Sequence, residues 1–317
     1  MKATMFLLII CVFSCQNSST IEKEIANIKL DLQIERFDQI FGSSKPSDLP
    51  ELKQNYPFLF SEKFADSVWF SRMDDPIQHL LNSAVDSVFK DFSSTEAEIT
   101  SFYQHFKYHN KAFKEPRLVT VLSDVDYRSK VIVTDSIVLI ALDNYLGEDH
   151  EFYASFYDYI KQNLDKSQLL PDLATAYAEQ LIFQSKRSVF LDELIYFGKQ
   201  LYLKDLWIPF KENHEKIGYT IDQYQWTEAN EFYIWQYFVE KELLYDTNKK
   251  LLSRFITPAP FSRFNLELDS ESPGRVGQYI GWQIVKSYMK NNPTSLFKML
   301  QMEAVEIFNN AKFKPKK

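Results

Sequence analysis

The hydrophobic and polar positions change their period partway along the chain. In "NIKLDLQIERF", Ile28, Leu30, Leu32 and Ile34 alternate with polar residues, the two-residue period of a half-buried strand. "DLPELKQNYPFLF" and "DDPIQHLLNSAVDSVFKDF" then take a helical period, each with an acidic residue and a proline near its start. "SSTEAEITSFYQHFKYHNKAF" opens on a serine or threonine cap with a glutamate in the next turn and predicts a further helix. "RLVTVL" and "KVIVTDSIVLIAL" are β-branched runs parted by polar turns, and they predict strands. Beyond "LDNYLG" the helical period dominates. Helices are predicted over 150–164, 171–186, 188–204, 221–245, 272–291 and 293–310. An early sheet followed by helices predicts an α+β fold, predominantly helical, with a small mixed sheet in the N-terminal half. It reads as a single globular domain over residues 27–317, without a fixed-period repeat or low-complexity linker.

The first residues stand outside that pattern. "MKATMFLLIICVFSC" has one basic residue, Lys2, then an apolar run from Met5 to Phe13 that is too short for a permanent membrane span. Its proportions are those of a signal peptide over residues 1–14. Val12-Phe13-Ser14-Cys15 resembles a bacterial lipobox, which implies cleavage before Cys15 and acylation of that residue. Residues 15–26 then read as a lipidated cysteine and its polar tether. Acyl chains worth about 0.8 kcal/mol per buried methylene make a triacyl anchor effectively permanent.

That reading accounts for both cysteines, because cleavage removes Cys11, lipidation consumes Cys15, and no other cysteine remains. An exported chain of this length can rest on core burial without disulfides. Loss of Lys2 takes the formal net charge from −7 to −8. An acidic chain without a basic cluster is a poor partner for nucleic acid or an anionic membrane surface. Only the tail "KFKPKK" is basic, and it reads as a solubilising end.

Chemistry is sparse. Three of the seven glycines, Gly274, Gly277 and Gly281, fall within "SPGRVGQYIGWQIVKSYM". A phosphate loop would need a neighbouring lysine and a strand before it, and no lysine precedes Lys286 there. Gly277 and Gly281 are four apart on one helical face, so they are expected to serve close helix packing. The pair His105 and His109 has metal-ligand spacing but lacks a third partner among His79, His150 and His214, and is expected on a solvated helix face. The acidic pairs Asp269 with Glu271 and Glu228 with Glu231 are likewise expected on solvated faces. "EFYIWQYF" is expected to pack the core, although Tyr and Trp also favour partner surfaces. There is no G-x-S-x-G elbow.

Several segments together resemble the gliding motility lipoproteins of the GldB type found in Bacteroidetes. They are "LDNYLG", "YAEQLIF", "DELIYFGKQLYLKDLWIP", "IGYTIDQYQWTEANEFYIWQYFVEKELLY", "RFITPAPFSRF" and "DSESPGRVGQYIGWQIVKSYM". The resemblance implies a part in gliding and the associated type IX secretion machinery, through protein partners at the cell envelope, with no cofactor and no established enzymatic activity. More distantly the chain is similar to zincin-type metallopeptidases, with "AYAEQLIF" where their zinc helix sits. Ala178 and Ile182 then replace the two histidines around Glu179, leaving a vestigial site with the glycine helix packed behind it. The absence of an acidic run after Cys15, which in such lipoproteins resembles a surface-export signal, points to a periplasm-facing protein, on the outer membrane in preference to the inner. The alternative reading is a hydrolase or carbohydrate-binding lipoprotein directed at the cell wall.

Overall fold

The computed structural model describes residues 15–183, 187–267 and 269–317. The signal peptide expected over 1–14 lies outside them, and so does the side chain of Cys15. Helix α1 (Cys15–Ala26) precedes strand β1 (Ile34–Glu35). Helices α2 (Phe37–Gly42), α3 (Leu49–Asn55), α4 (Asp66–Met73), α5 (Pro76–Val88) and α6 (Ser93–His109) follow. Strands β2 (Arg117–Val121), β3 (Val131–Val133) and β4 (Ile137–Ala141) complete the sheet. The second half holds α7 (Asp158–Lys161), α8 (Leu169–Leu181), α9 (Phe190–Trp207), α10 (Asn213–Ile217), α11 (Ile221–Ala229) and α12 (Glu231–Glu240). It ends with α13 (Lys250–Phe255), α14 (Val276–Asn291), α15 (Leu296–Gln301) and α16 (Ala304–Ala311). The fold is α+β, mainly helical, with its sheet in the N-terminal half.

The sheet runs β1-β2-β4-β3, with β1, β2 and β4 parallel and β3 antiparallel to β4. Both faces are covered. Leu118, Val138 and Ile140 point into the main core, whereas Val119 enters a smaller aromatic cluster with Phe37, Phe41, Tyr56 and Phe60. Burial on both faces explains why these strands read as continuous apolar runs rather than alternating ones.

Several predicted elements come out differently. The alternation over 28–34 persists as half-buried against exposed positions, but only Ile34 and Glu35 pair with β2. The helix expected over 150–164 is reduced to a short 3-10 turn and α7. Buried Tyr153 donates to the Asp143 carbonyl at 2.7 Å and accepts from the Leu146 amide at 3.0 Å, so tertiary contacts override local propensity there. The stretch 15–26, read as a tether, is helical and sets Ile25 against α6.

α9 is the central helix, with α14, α8, α16 and α6 around it. Its closest partner is α14. A Cβ on Gly281 would stand 2.5 Å from the Leu194 carbonyl carbon and overlap its oxygen. A Cβ on Gly198, facing it, would overlap the Gly281 carbonyl and lie 2.9 Å from the Trp282 nitrogen. At Gly277 a Cβ would lie 2.8 Å from the Phe255 carbonyl oxygen. The two helices therefore touch backbone to backbone.

Candidate functional site

Because α9 is surrounded, any polar residue on it loses water. Lys199, Gln200 and Lys204 are all more than nine-tenths buried. Lys199 spends its charge on the fold, donating to the carbonyls of Leu300 at 3.1 Å and Met302 at 2.7 Å, where the chain breaks between α15 and α16. Gln200 and Lys204, four apart and so on one face, instead line a cleft of about 510 Å3.

The cleft is walled by α8, α9, the end of α10 and the start of α14. Its charged lining is Lys130, Lys204, Lys216 and Arg275 against one carboxylate, Asp172: four cations to one anion in a chain of net charge −7. Asp172 is held by Lys130 Nζ at 2.6 Å and by the Tyr145 hydroxyl, which donates at 3.1 Å. Lys216 Nζ pairs with Asp205 Oδ1 at 3.1 Å, while Asp205 Oδ2 meets Lys286 at 3.2 Å and accepts from Trp282 Nε1 at 2.7 Å.

Lys204 and Arg275 have only carbonyls. Lys204 Nζ donates to the Lys216 carbonyl at 2.8 Å and Arg275 Nη2 to the Gly218 carbonyl at 2.6 Å. Burial pushes the Lys204 ammonium down to about 8, and the neighbouring Arg275 and Lys130 charges push the same way against Asp172 and Glu179. Burial also depresses Arg275. Arg275 sits at the head of α14 with φ of 64°, in the left-handed region, directly after Gly274. That turn aims its guanidinium back across the cleft, over the Tyr219 ring at 5.3 Å.

The residues singled out from sequence are placed elsewhere. Ala178 and Ile182 are sealed in the apolar core, and Glu179 is exposed on another side of α8. The cleft meets α8 through Asp172 and Thr175 instead. His105 is 4% exposed rather than solvated, with Nδ1 on the Ser101 carbonyl at 2.8 Å and Nε2 at 3.2 Å from Glu22. Glu231 is likewise buried, not solvated. It accepts from the Tyr279 hydroxyl and the Lys316 amide, both at 2.9 Å. Glu228 takes Lys316 Nζ at 2.7 Å, so the basic tail is docked. Asp269 accepts from the amides of Phe264, Asn265 and Leu266 and shapes a loop. Among the described residues no group of three His, Cys, Asp or Glu side chains gathers as a cation site. The sequence signal that was passed over is Lys199, Gln200 and Lys204 inside an otherwise apolar helix.

A second cavity, of about 300 Å3, lies by α2 and α4, where Phe37, Phe41, Phe60 and Trp69 share the lining with polar residues and with the Arg72–Asp124 pair. A groove of about 400 Å3 runs beside α12 between Tyr233 and Leu266, which are 66% and 62% exposed.

Fold and site together define a mainly helical α+β protein with a cationic cleft, and among the described residues no helix is long and apolar enough to cross a membrane. The family model for gliding motility protein GldB matches residues 18–315, and the chain belongs to that family of gliding motility lipoproteins. No curated protein and no solved structure matches the chain, and the likeness to zincin peptidases gains no support from them.

Proposed function

We propose that the chain is a lipid-anchored, non-enzymatic component of the gliding apparatus and its type IX secretion machinery, working through protein contacts on the periplasmic side of the outer membrane. The family match over 18–315 carries this reading. Exposed Tyr233 and Leu266 beside the α12 groove support a partner surface, since aromatic side chains are enriched where proteins meet. The cleft supports binding over catalysis: Asp172 is locked in an ion pair with Lys130 rather than poised beside a nucleophile. In-frame deletion in the gliding host is expected to abolish colony spreading and to lower secretion of type IX substrates. Normal spreading and normal secretion in the deletion strain would contradict the reading.

A further inference from the structure

Two positive charges in the cleft lack an acidic partner. Of its four cations, Lys130 is matched by Asp172 and Lys216 by Asp205. Asp205 is further occupied by Lys286 and Trp282, and Asp172 by Tyr145. Lys204 and Arg275 are left over. Their hydrogen bonds end on carbonyls two residues apart, those of Lys216 and Gly218, so the two cations converge on one turn. Capping the end of α10 accounts for one donor of each. An ammonium has three donors and a guanidinium five, and among the described residues the rest have no acceptor.

Gln200 adds an independent sign. It is 4% exposed, lines the cleft, and its amide nitrogen makes no hydrogen bond of ordinary length, although the Tyr196 hydroxyl is close by. A buried donor without a hydrogen bond of ordinary length is unfavourable, as is a buried cation without an anion. Both defects would be removed by one ligand that brings negative oxygen.

We infer that the cleft is a binding site for an oxyanion, a carboxylate or phosphate carried on a partly apolar body, received by Lys204, Arg275 and Gln200. The apolar body has walls to meet in Ile160, Leu201, Ile256 and Pro258, with Tyr159 and Phe197 beside them. A cleft of about 510 Å3 is larger than a bare inorganic anion requires. Recognition runs through side chains, not through backbone amides of the glycine-bearing stretch, although Arg275 and Gln278 of that stretch line the cleft.

Thermal melting of the full chain in detergent tests this, with phenyl phosphate, phenylacetate, inorganic phosphate and acetate as probes and chloride matching the ionic strength. The melting midpoint is expected to rise by several degrees with an aryl oxyanion and to stay put with neutral benzyl alcohol. A larger shift with phenyl phosphate assigns a phosphate ligand, and a larger shift with phenylacetate assigns a carboxylate. Lys204→Met and Arg275→Gly, the latter suited to the left-handed backbone, should each weaken binding at least about tenfold. Lys204→Met without ligand should melt no lower than wild type, because it drops an unpaired buried charge. If Arg275→Gly fails to fold, Lys204→Met still decides the matter. No shift in the wild type with any of the four anions, or an undiminished shift in the variants, would overturn the inference and leave the two cations as helix caps.

Discussion

A lysine with its ammonium out of water is a pH-dependent liability, and α9 carries two. Burial lowers Lys199 and Lys204 to about 8 each, from an ordinary 10.5. Between those values the unfolded chain holds more protons than the folded one, so stability rises with pH across that window. Below pH 8 the cost of the buried charge is present in full. Above pH 10 the trend reverses, because buried tyrosines such as Tyr103 and Tyr145 resist ionisation in the folded state only. Urea unfolding at about pH 9.5 should therefore give a stability higher than at about pH 7.5, by roughly 1–2 kcal/mol per lysine. Lys204→Met should remove about half of that gain. A stability that is flat between the two pH values would mean that these ammonium groups are solvated. Which polar residues would be buried was not legible from the chain. The apolar positions of "FLDELIYFGKQLYLKDLW" announce a helix, but its central position depends on α14 and α16, which arrive about 80 residues later or more.

At the scale of elements, the junction of α9 and α14 sets the tolerance of the fold. Even Gly281→Ala should destabilise: the roughly 1 kcal/mol of helix propensity that alanine gains is outweighed where its methyl would overlap the Leu194 carbonyl. Gly281→Leu should cost several kcal/mol or prevent folding, and Gly198→Ala should behave like Gly281→Ala. A Gly281→Ala protein that unfolds at the wild-type denaturant midpoint would show that the helices stand farther apart than described. The four-residue spacing of Gly277 and Gly281 is readable from the chain, but Gly198 is not, since one glycine in a helix has no period. The sheet shows a similar division. The β-branched runs mark β2, β3 and β4 within a residue or two, whereas the alternation over 28–34 overstates β1. Ile34 already meets Leu118, the second residue of β2, and the Gln33 carbonyl accepts from the Leu118 amide at 3.3 Å, so the positions before Gln33 have no strand to pair with. The single helix expected over 221–245 breaks at Asn230, whose side chain donates to the Trp226 carbonyl at 2.8 Å.

At the scale of the molecule, class and family are the most legible features, because they depend on patterns spread along the whole chain and not on single contacts. The cleft is the least legible, because Lys130, Asp172, Lys204 and Arg275 come from four distant stretches. The docked tail was equally hidden. Lys316 reaches Glu228 and Glu231, and Phe313 meets Trp235 at 5.3 Å between ring centres, contacts that no local pattern announces. The proposed function makes a lipid anchor essential, since contacts with envelope machinery require the domain to be held at the membrane. The most direct measurement is complementation of the deletion strain with Cys15→Ser, scored by colony spreading and by the size and membrane partition of the protein. The expected result is an unprocessed or released chain and no recovery of spreading. Full recovery of spreading by a Cys15→Ser protein that partitions with membranes at the mature size would contradict the account.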